Sequence, residues 1–293
     1  MRPKGIIPAV LTPFTESEEV SEEALKQLLE YLIVKGVHGV FVVGTAGEFY
    51  ALSAEEKARI FKAAVAAANG RVPVYAGTAA ETTRDSVKLG HAAREAGVDF
   101  ISVLTPWFAR LSQEELYEHY RTIAEEVGLP MLLYNNPDRA GNDLATQTVA
   151  RLARNCKNVV GIKDSTGNLT QTLDYIAHCP AEFSVIMGRD TLIYAALMQG
   201  AAGAIAATGN VAPELCVGIY EDVKAGRLEQ AVEKQRRLHL VRKAMVGNPA
   251  AMLKAMAELR GLKLGPPRSP LTRPPKEQVE SLRVALQKAG VLQ

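Results

Sequence analysis

Eight short apolar runs, each followed by a longer segment with helical signals, constrain this chain more than any other feature. The runs are Ile6–Leu11, Gly39–Val43, Pro73–Ala76, Phe100–Leu104, Met131–Tyr134, Val159–Lys163, Ser184–Met187 and Gly203–Ala207. Each is near-continuously apolar and bounded by Gly, Pro, Thr or Asp. A strand covered on both faces reads this way, because neither face meets water and no polar alternation is needed. The segments between them open like helices. Ser21 stands as an N-cap before Glu22, and Leu25, Leu28, Leu29 and Leu32 follow on one face. Ser53 with Glu56, and Ser112 with Glu115, have capping-box spacing. Eight strands alternating with helices predict an α/β chain folded as a (β/α)8 TIM barrel. A doubly wound sheet is the structural alternative. It wants a Gly-rich phosphate turn after an early strand, and Gly44-Thr45-Ala46-Gly47-Glu48 lacks the full pattern.

The barrel is expected over residues 1–225, its last helix at Pro213–Ala225, with a small C-terminal helical appendage over 226–293. In the appendage Leu228–Val246, Pro249–Arg260 and Lys276–Lys288 read as helices, with the Pro-rich stretch Gly265–Pro275 before the last. The 34 basic and 32 acidic residues leave a net charge of +2 with no long basic run, which favours neither nucleic acid nor an anionic membrane as partner. Cys156, Cys179 and Cys216 are odd in number and far apart, which argues against disulfide scaffolding or a zinc site and for a reducing, cytoplasmic setting. The apolar run near Met1 is too short for a signal peptide, and none reaches membrane-spanning length. The five histidines form no HExxH-type pair, so no metal is expected.

In such a barrel the chemistry sits at the C-terminal ends of the strands, and polar residues collect there. Lys163 ends the sixth apolar run. A lysine closing a buried strand meets surroundings that disfavour the ammonium, which leaves some free amine to form a Schiff base with a keto acid. The same position also permits a lysine that only snorkels to solvent. Tyr134 ends the neighbouring run, where its phenol is either a proton relay for the lysine or a core hydroxyl with a partner. Thr45 lies in a glycine-flanked turn whose N–H groups either hold a carboxylate or simply make a tight connection. Asp164 and Glu48 read either as carboxylates that support the site from behind or, the reading favoured here, as helix-start charges.

The stretches Gly44–Glu48, Tyr134-Asn135-Asn136-Pro137, Gly161–Ser165 and Gly188-Arg189-Asp190 occur in the order and spacing of a known family. The whole chain resembles the dihydrodipicolinate synthase / N-acetylneuraminate lyase family, the Schiff-base-forming, pyruvate-dependent class I aldolases. The resemblance implies catalysis without metal or organic cofactor, and a homotetramer built as a dimer of dimers. It makes Lys163 the Schiff-base lysine, Tyr134 the proton shuttle, and Thr45 with Ala46 the holder of the keto-acid carboxylate. Ile205 then lines the pyruvate pocket, Gly188 and Asp190 lie near the second substrate, and Arg139 binds that substrate's carboxylate.

The sequence also departs from the pattern. The synthases are similar to one another in having a second threonine where this chain has Ala46, and a tyrosine, given across a dimer interface, where it has Phe108. Glu81 replaces an asparagine of the lysine-inhibited synthases, and Thr191, Ala206 and Ala207 replace the polar residues of the sialic acid lyases. These differences point to a 2-keto-3-deoxy (sugar) acid or 4-hydroxy-2-keto acid aldolase, acting on pyruvate and a small aldehyde. The alternative is 4-hydroxy-tetrahydrodipicolinate (dihydrodipicolinate) synthase, and from another class a keto-acid-binding protein without catalysis.

Overall fold

The computed structural model describes residues 2–292. Its strands are β1 (Gly5–Pro8), β2 (Val40–Val42), β3 (Val74–Gly77), β4 (Phe100–Leu104), β5 (Met131–Asn135), β6 (Val159–Asp164), β7 (Ser184–Met187) and β8 (Gly203–Ala206). They pair in parallel in the order β1-β8-β7-β6-β5-β4-β3-β2. A parallel bridge between Ala9 and Phe41 brings the two ends of that order together and completes the barrel. Every strand residue is buried except the half-buried Val160, which is why the runs carry no polar alternation. Fully burying one Val, Leu or Ile contributes roughly 1.5–3 kcal/mol, so the ring of strands is the main store of stability.

The barrel helices are α1 (Glu22–Val34), α2 (Ala54–Ala68), α3 (Thr83–Ala96), α4 (Gln113–Val127), the short α5 (Pro137–Ala140), α6 (Thr146–Asn155), α7 (Leu169–His178), α8 (Ile193–Met198) and α9 (Pro213–Lys224). The Ser21 side chain accepts from Ala24 N. Ser53 and Ser112 each close a full capping box, with Glu56 and Glu115 bonding back to the cap backbone. Each such cap stabilises its helix by about 1 kcal/mol.

Most expected boundaries move by one residue at most and two move by three, for identifiable reasons. The first apolar run continues to Leu11, yet β1 ends at Pro8, because Val10 N donates to Phe41 O and Leu11 N to Asn210 Oδ1 instead of to a β8 ladder. The helix expected to reach Val246 stops at Lys243, since Gly247 takes φ 98° and the chain unwinds before Asn248 caps the next helix.

Beyond α9 lie α10 (Leu228–Lys243), α11 (Pro249–Leu259) and α12 (Lys276–Lys288). In α11 every residue from Ala250 to Ala257 is buried. A helix without a wet face must be enclosed, and α11 is packed against α12 and the turn after β8. Leu282 and Leu286 anchor α12. The appendage is thus seated beside the strand ends where polar residues collect. The expected barrel range starts at Met1 and the expected helical range ends at Gln293, and both residues lie outside those described.

Candidate active site

The site starts from register. Tyr134 on β5 stands opposite Lys163 on β6, with Asn135 opposite Asp164 one step further on. Each pair member is held on a neighbouring strand, so the two side chains rise together from the barrel end. Lys163 is 3% exposed, and its Nζ lies 3.9 Å from the Tyr134 ring centroid and 4.9 Å from that of Phe41. The ammonium therefore sits in aromatic surroundings rather than snorkelling to water.

The Tyr134 phenol is the junction. Its oxygen lies 3.3 Å from Thr45 Oγ1 and accepts from Asn136 Nδ2 at 3.1 Å. Burial on its own would push this phenol up. The charge of Lys163 and the hydrogen bonds from Thr45 and Asn136 outweigh burial and bring it down to about 8. A phenol that titrates near neutrality, beside an amine, can give and take a proton at little cost.

The strand ends are pinned from behind. Asp164 Oδ1 accepts from the N–H and hydroxyl of Thr166, and Oδ2 from Thr172 Oγ1 on α7. Asn135 Nδ2 donates to Asp143 and to Tyr175 Oη. Asp164 thus braces the turn into α7. Glu48 departs from the helix-start reading favoured in the sequence and is placed as the supporting carboxylate that was its alternative. Its carboxylate is fully buried and its Oε1 lies 2.8 Å from Lys254 Nζ of α11, a partner that spacing along the chain does not reveal.

The turn after β2 leaves backbone donors free at the cavity. Among the described residues, the N–H groups of Thr45 and Ala46 donate to no protein acceptor. The turn is bracketed by Val43 and Glu48, both at positive φ, and Thr12 Oγ1 donates to Gly47 O at 2.6 Å. A Cβ at Gly47 would lie 2.8 Å from Val10 O, so only glycine lets the turn close against the segment that follows β1.

A cavity of about 410 Å³ opens over these groups. All eight residues singled out in the sequence line it: Lys163, Tyr134, Thr45, Ala46, Ile205, Gly188, Asp190 and Arg139. Their parts in it differ. Gly188 makes room, since a Cβ there would lie 2.0 Å from Ser165 Oγ. Asp190 has both oxygens committed to backbone, accepting from Ala207 N and Thr208 N, and burial holds its pKa above the usual carboxylate range. It fixes the turn after β8 and has little left for a ligand. Arg139 is exposed at the rim and, among the described residues, forms no ion pair.

Sequence reading missed further lining residues. Asn136 stands two residues after Tyr134, and its place in a stretch already marked was the available signal. Arg242, Met245, Asn248 and Leu271 come from the appendage. Arg242 lies in the last turn of α10, where a cation reads as a complement to the helix dipole, so nothing in the sequence marks it. Trp107 also lines the cavity, packed edge-on against Phe49. Phe108 beside it is 100% exposed at φ 73°. The gathered groups are an amine, a phenol, hydroxyls, free N–H donors and guanidinium cations, and among the described residues no cluster of His, Cys, Asp and Glu is placed to hold a metal ion.

This arrangement can be compared with known proteins. The profile of the dihydrodipicolinate synthetase family matches residues 2–289. The 4-hydroxy-tetrahydrodipicolinate synthase of Methanopyrus kandleri is 38% identical over 99% of this chain and 97% of its own length. The enzyme of the same name from Brucella suis is 33% identical, covering 99% of both chains. Among solved structures, dihydrodipicolinate synthase from Aquifex aeolicus superposes with a TM-score of 0.94 at 33% identity, over 98% of each chain. YagE, a prophage protein of E. coli K12 in the dihydrodipicolinic acid synthase family, solved in complex with pyruvate, gives 0.95 at 30% identity over 98% of this chain and 99% of its own.

Proposed function

The chain belongs to the dihydrodipicolinate synthetase family and is a class I, Schiff-base-forming, pyruvate-dependent lyase; we propose that it condenses pyruvate with aspartate semialdehyde, as a 4-hydroxy-tetrahydrodipicolinate synthase. The observation that carries the proposal is the contact sequence Lys163–Tyr134–Thr45 on the floor of a cavity with an unpaired arginine, Arg139, at its rim. The names of the relatives support the synthase over the aldolase to which Ala46 and Phe108 pointed.

In this reading the N–H groups of Thr45 and Ala46 take the pyruvate carboxylate, and Ile205 and Gly188 form the wall beside it. Neutral Lys163 attacks C2. Tyr134 passes a proton to the hydroxyl that leaves as water, which gives the iminium. Loss of a C3 proton makes the enamine, and its carbon adds to the aldehyde carbon as the aldehyde oxygen takes a proton. The amino group of the semialdehyde then attacks C2, closes the ring and releases Lys163. Arg139 pairs with the distal carboxylate, and Arg242 adds a second cation on the appendage side.

The second reading is a 2-keto-3-deoxy acid aldolase, in which C–C cleavage runs through the same iminium. It is favoured by Phe108 and Ala46, which offer no hydroxyl where the synthases have one. The fully exposed Phe108 ring also supports an assembly in which this loop is covered by a second copy, as in the homotetramer expected of the family. No helix among the described residues is long and apolar enough to cross a membrane, and the three free cysteines suit the reducing cytoplasm we propose as its setting.

The test is borohydride trapping with pyruvate, read by peptide mapping, followed by rates with aspartate semialdehyde and with 2-keto-3-deoxy sugar acids. An adduct on Lys163 and a higher kcat/KM for the semialdehyde are expected. A higher kcat/KM for the sugar acids hands the function to the aldolase, and no adduct removes the pyruvate mechanism altogether.

A further inference from the structure

We propose that the buried Glu48–Lys254 ion pair is a positioning device, which holds the Thr45–Glu48 turn in its working shape and makes that shape depend on the docked C-terminal segment. The inference rests on the Schiff-base reading, because the groups it positions are those given to pyruvate.

The pair is dry: Glu48 is 0% and Lys254 2% exposed, and neither lines the cavity. Taking two opposite charges out of water costs more than packing apolar side chains of the same size, so stability is a poor reason for them. Their geometry offers a better one. Glu48 sits at φ 56°, ψ 39°, a left-handed backbone that glycine or asparagine adopts more readily. The chain spends a carboxylate where a conformationally easier residue would do, and that carboxylate reaches only into the C-terminal segment. Its Oε1 lies 2.8 Å from Lys254 Nζ, and its Oε2 accepts from Arg268 N at 3.0 Å.

Lys254 is fixed in turn. Its Nζ donates to Pro266 O at 2.9 Å and lies 4.1 Å from the Phe14 ring centroid. Arg268 stands 4.4 Å from the same centroid and bonds Ala51 O, Glu18 O and Glu56. The other charge facing Lys254 is Glu258 on its own helix. The β1–α1 loop, the turn after β2, the start of α2, α11 and the Pro-rich stretch therefore meet at this one pair. On the other side of Glu48 the turn runs straight to the chemistry. Glu48 N donates to Thr45 O at 3.2 Å, Phe49 N to Gly44 O at 3.3 Å, and Thr45 Oγ1 touches the Tyr134 phenol. If Glu48 loses its anchor, the left-handed residue relaxes and the Thr45 hydroxyl and N–H groups move with it.

The decisive variant is the double Glu48→Gln/Lys254→Met, which leaves no unpaired buried charge and is the variant best able to fold. Three quantities are read: the melting temperature, kcat and KM for pyruvate measured separately, and the absorbance of tyrosinate at 295 nm between pH 6.5 and 9.5. The Tyr134 phenol, held low in part by Thr45, gives the step near pH 8. The expected result is a folded protein with kcat at least tenfold lower, KM for pyruvate raised, and the phenol step displaced upward by half a pH unit or more. A folded double variant with unchanged kcat, KM and phenol step overturns the proposal and leaves the pair a structural tie. Hydrogen exchange on the unaltered protein decides the case if the variant does not fold. Trapping the pyruvate adduct is expected to slow exchange in both Gly44–Phe49 and Lys254–Leu259, and protection confined to the turn overturns the coupling. Absence of any adduct on the unaltered protein retires the Schiff-base reading instead, while the phenol step still judges the pair.

Discussion

Lys163 and Arg242 both line the cavity, one from the end of a barrel strand and the other from the last turn of α10. The ladder holds Lys163 from two sides, paired with Tyr134 on β5 and Ile186 on β7, and Asp164 behind it is fixed by three hydrogen bonds. Arg242 is followed by an unwound stretch containing Gly247 at φ 98°, and among the described residues its side chain forms no ion pair. Covalent chemistry needs atoms held to a few tenths of an ångström, whereas selecting a substrate tolerates adjustment. The barrel strands would then carry the reaction, and the appendage would share the choice of partner with Arg139 at the barrel rim.

The largest effect that tests this division is at Lys163. Lys163→Ala should abolish the pyruvate adduct and reduce turnover to background, with the fold intact by circular dichroism. Activity that survives would place the nucleophile elsewhere and dissolve the distinction between the regions. Next is Tyr134→Phe. Loss of a placed proton donor costs about 10²- to 10⁴-fold in rate, while the Thr45 and Ala46 N–H groups should still bind pyruvate. Deprotonation of the Tyr134 phenol is expected to give a limb near pH 8 in the kcat/KM profile, and that limb should vanish in this variant. A retained limb assigns that titration to another group.

The same division explains what could be read from the sequence. The strand ends were legible because a buried strand must be apolar until it leaves the sheet, so a polar residue there stands out. Lys163, Tyr134 and the Gly44–Glu48 turn were found this way. The appendage contributions were not, because a helix turns a new face every residue and its sequence does not say which face meets a cavity. Arg242 looked like any cation at a helix end. Lys254 lay in a run of alanines, methionines and leucines whose enclosure only the packing shows. The aldolase preference weighed Ala46 and Phe108 beside Arg139, but without Arg242, which only the fold brings to the cavity.

A smaller effect probes the appendage itself. Arg242→Met keeps most of the side-chain volume and removes the charge. A charge-assisted contact with an anionic substrate contributes roughly 1.5–3 kcal/mol, so KM for aspartate semialdehyde should rise about tenfold or more while KM for pyruvate holds. An equal rise in both constants would mean that Arg242 supports the whole cavity, and the two regions would no longer be separable by function.

The smallest effect on activity sharpens the comparison by setting one buried titratable group of the barrel against Lys254. His119 on α4 is 5% exposed, with Nδ1 2.9 Å from Thr83 Oγ1 and Nε2 buried without a partner. Burial pushes its pKa down to about 4 from the usual 6.5. The unfolded chain therefore takes up the proton first as pH falls, and stability drains away between pH 6.5 and pH 4, then levels off below the folded value. The full loss comes to about 3 kcal/mol. His119→Gln, which cannot gain that proton, should flatten the acid limb of a denaturant-midpoint series without altering kcat at pH 8. This histidine does not line the cavity and its ring bonds Thr83 rather than any residue of the turn after β2, so its charge state should touch stability alone. If kcat falls as well, burial on the barrel's flank is coupled to the chemistry, and the special standing given to the Glu48–Lys254 contact is lost.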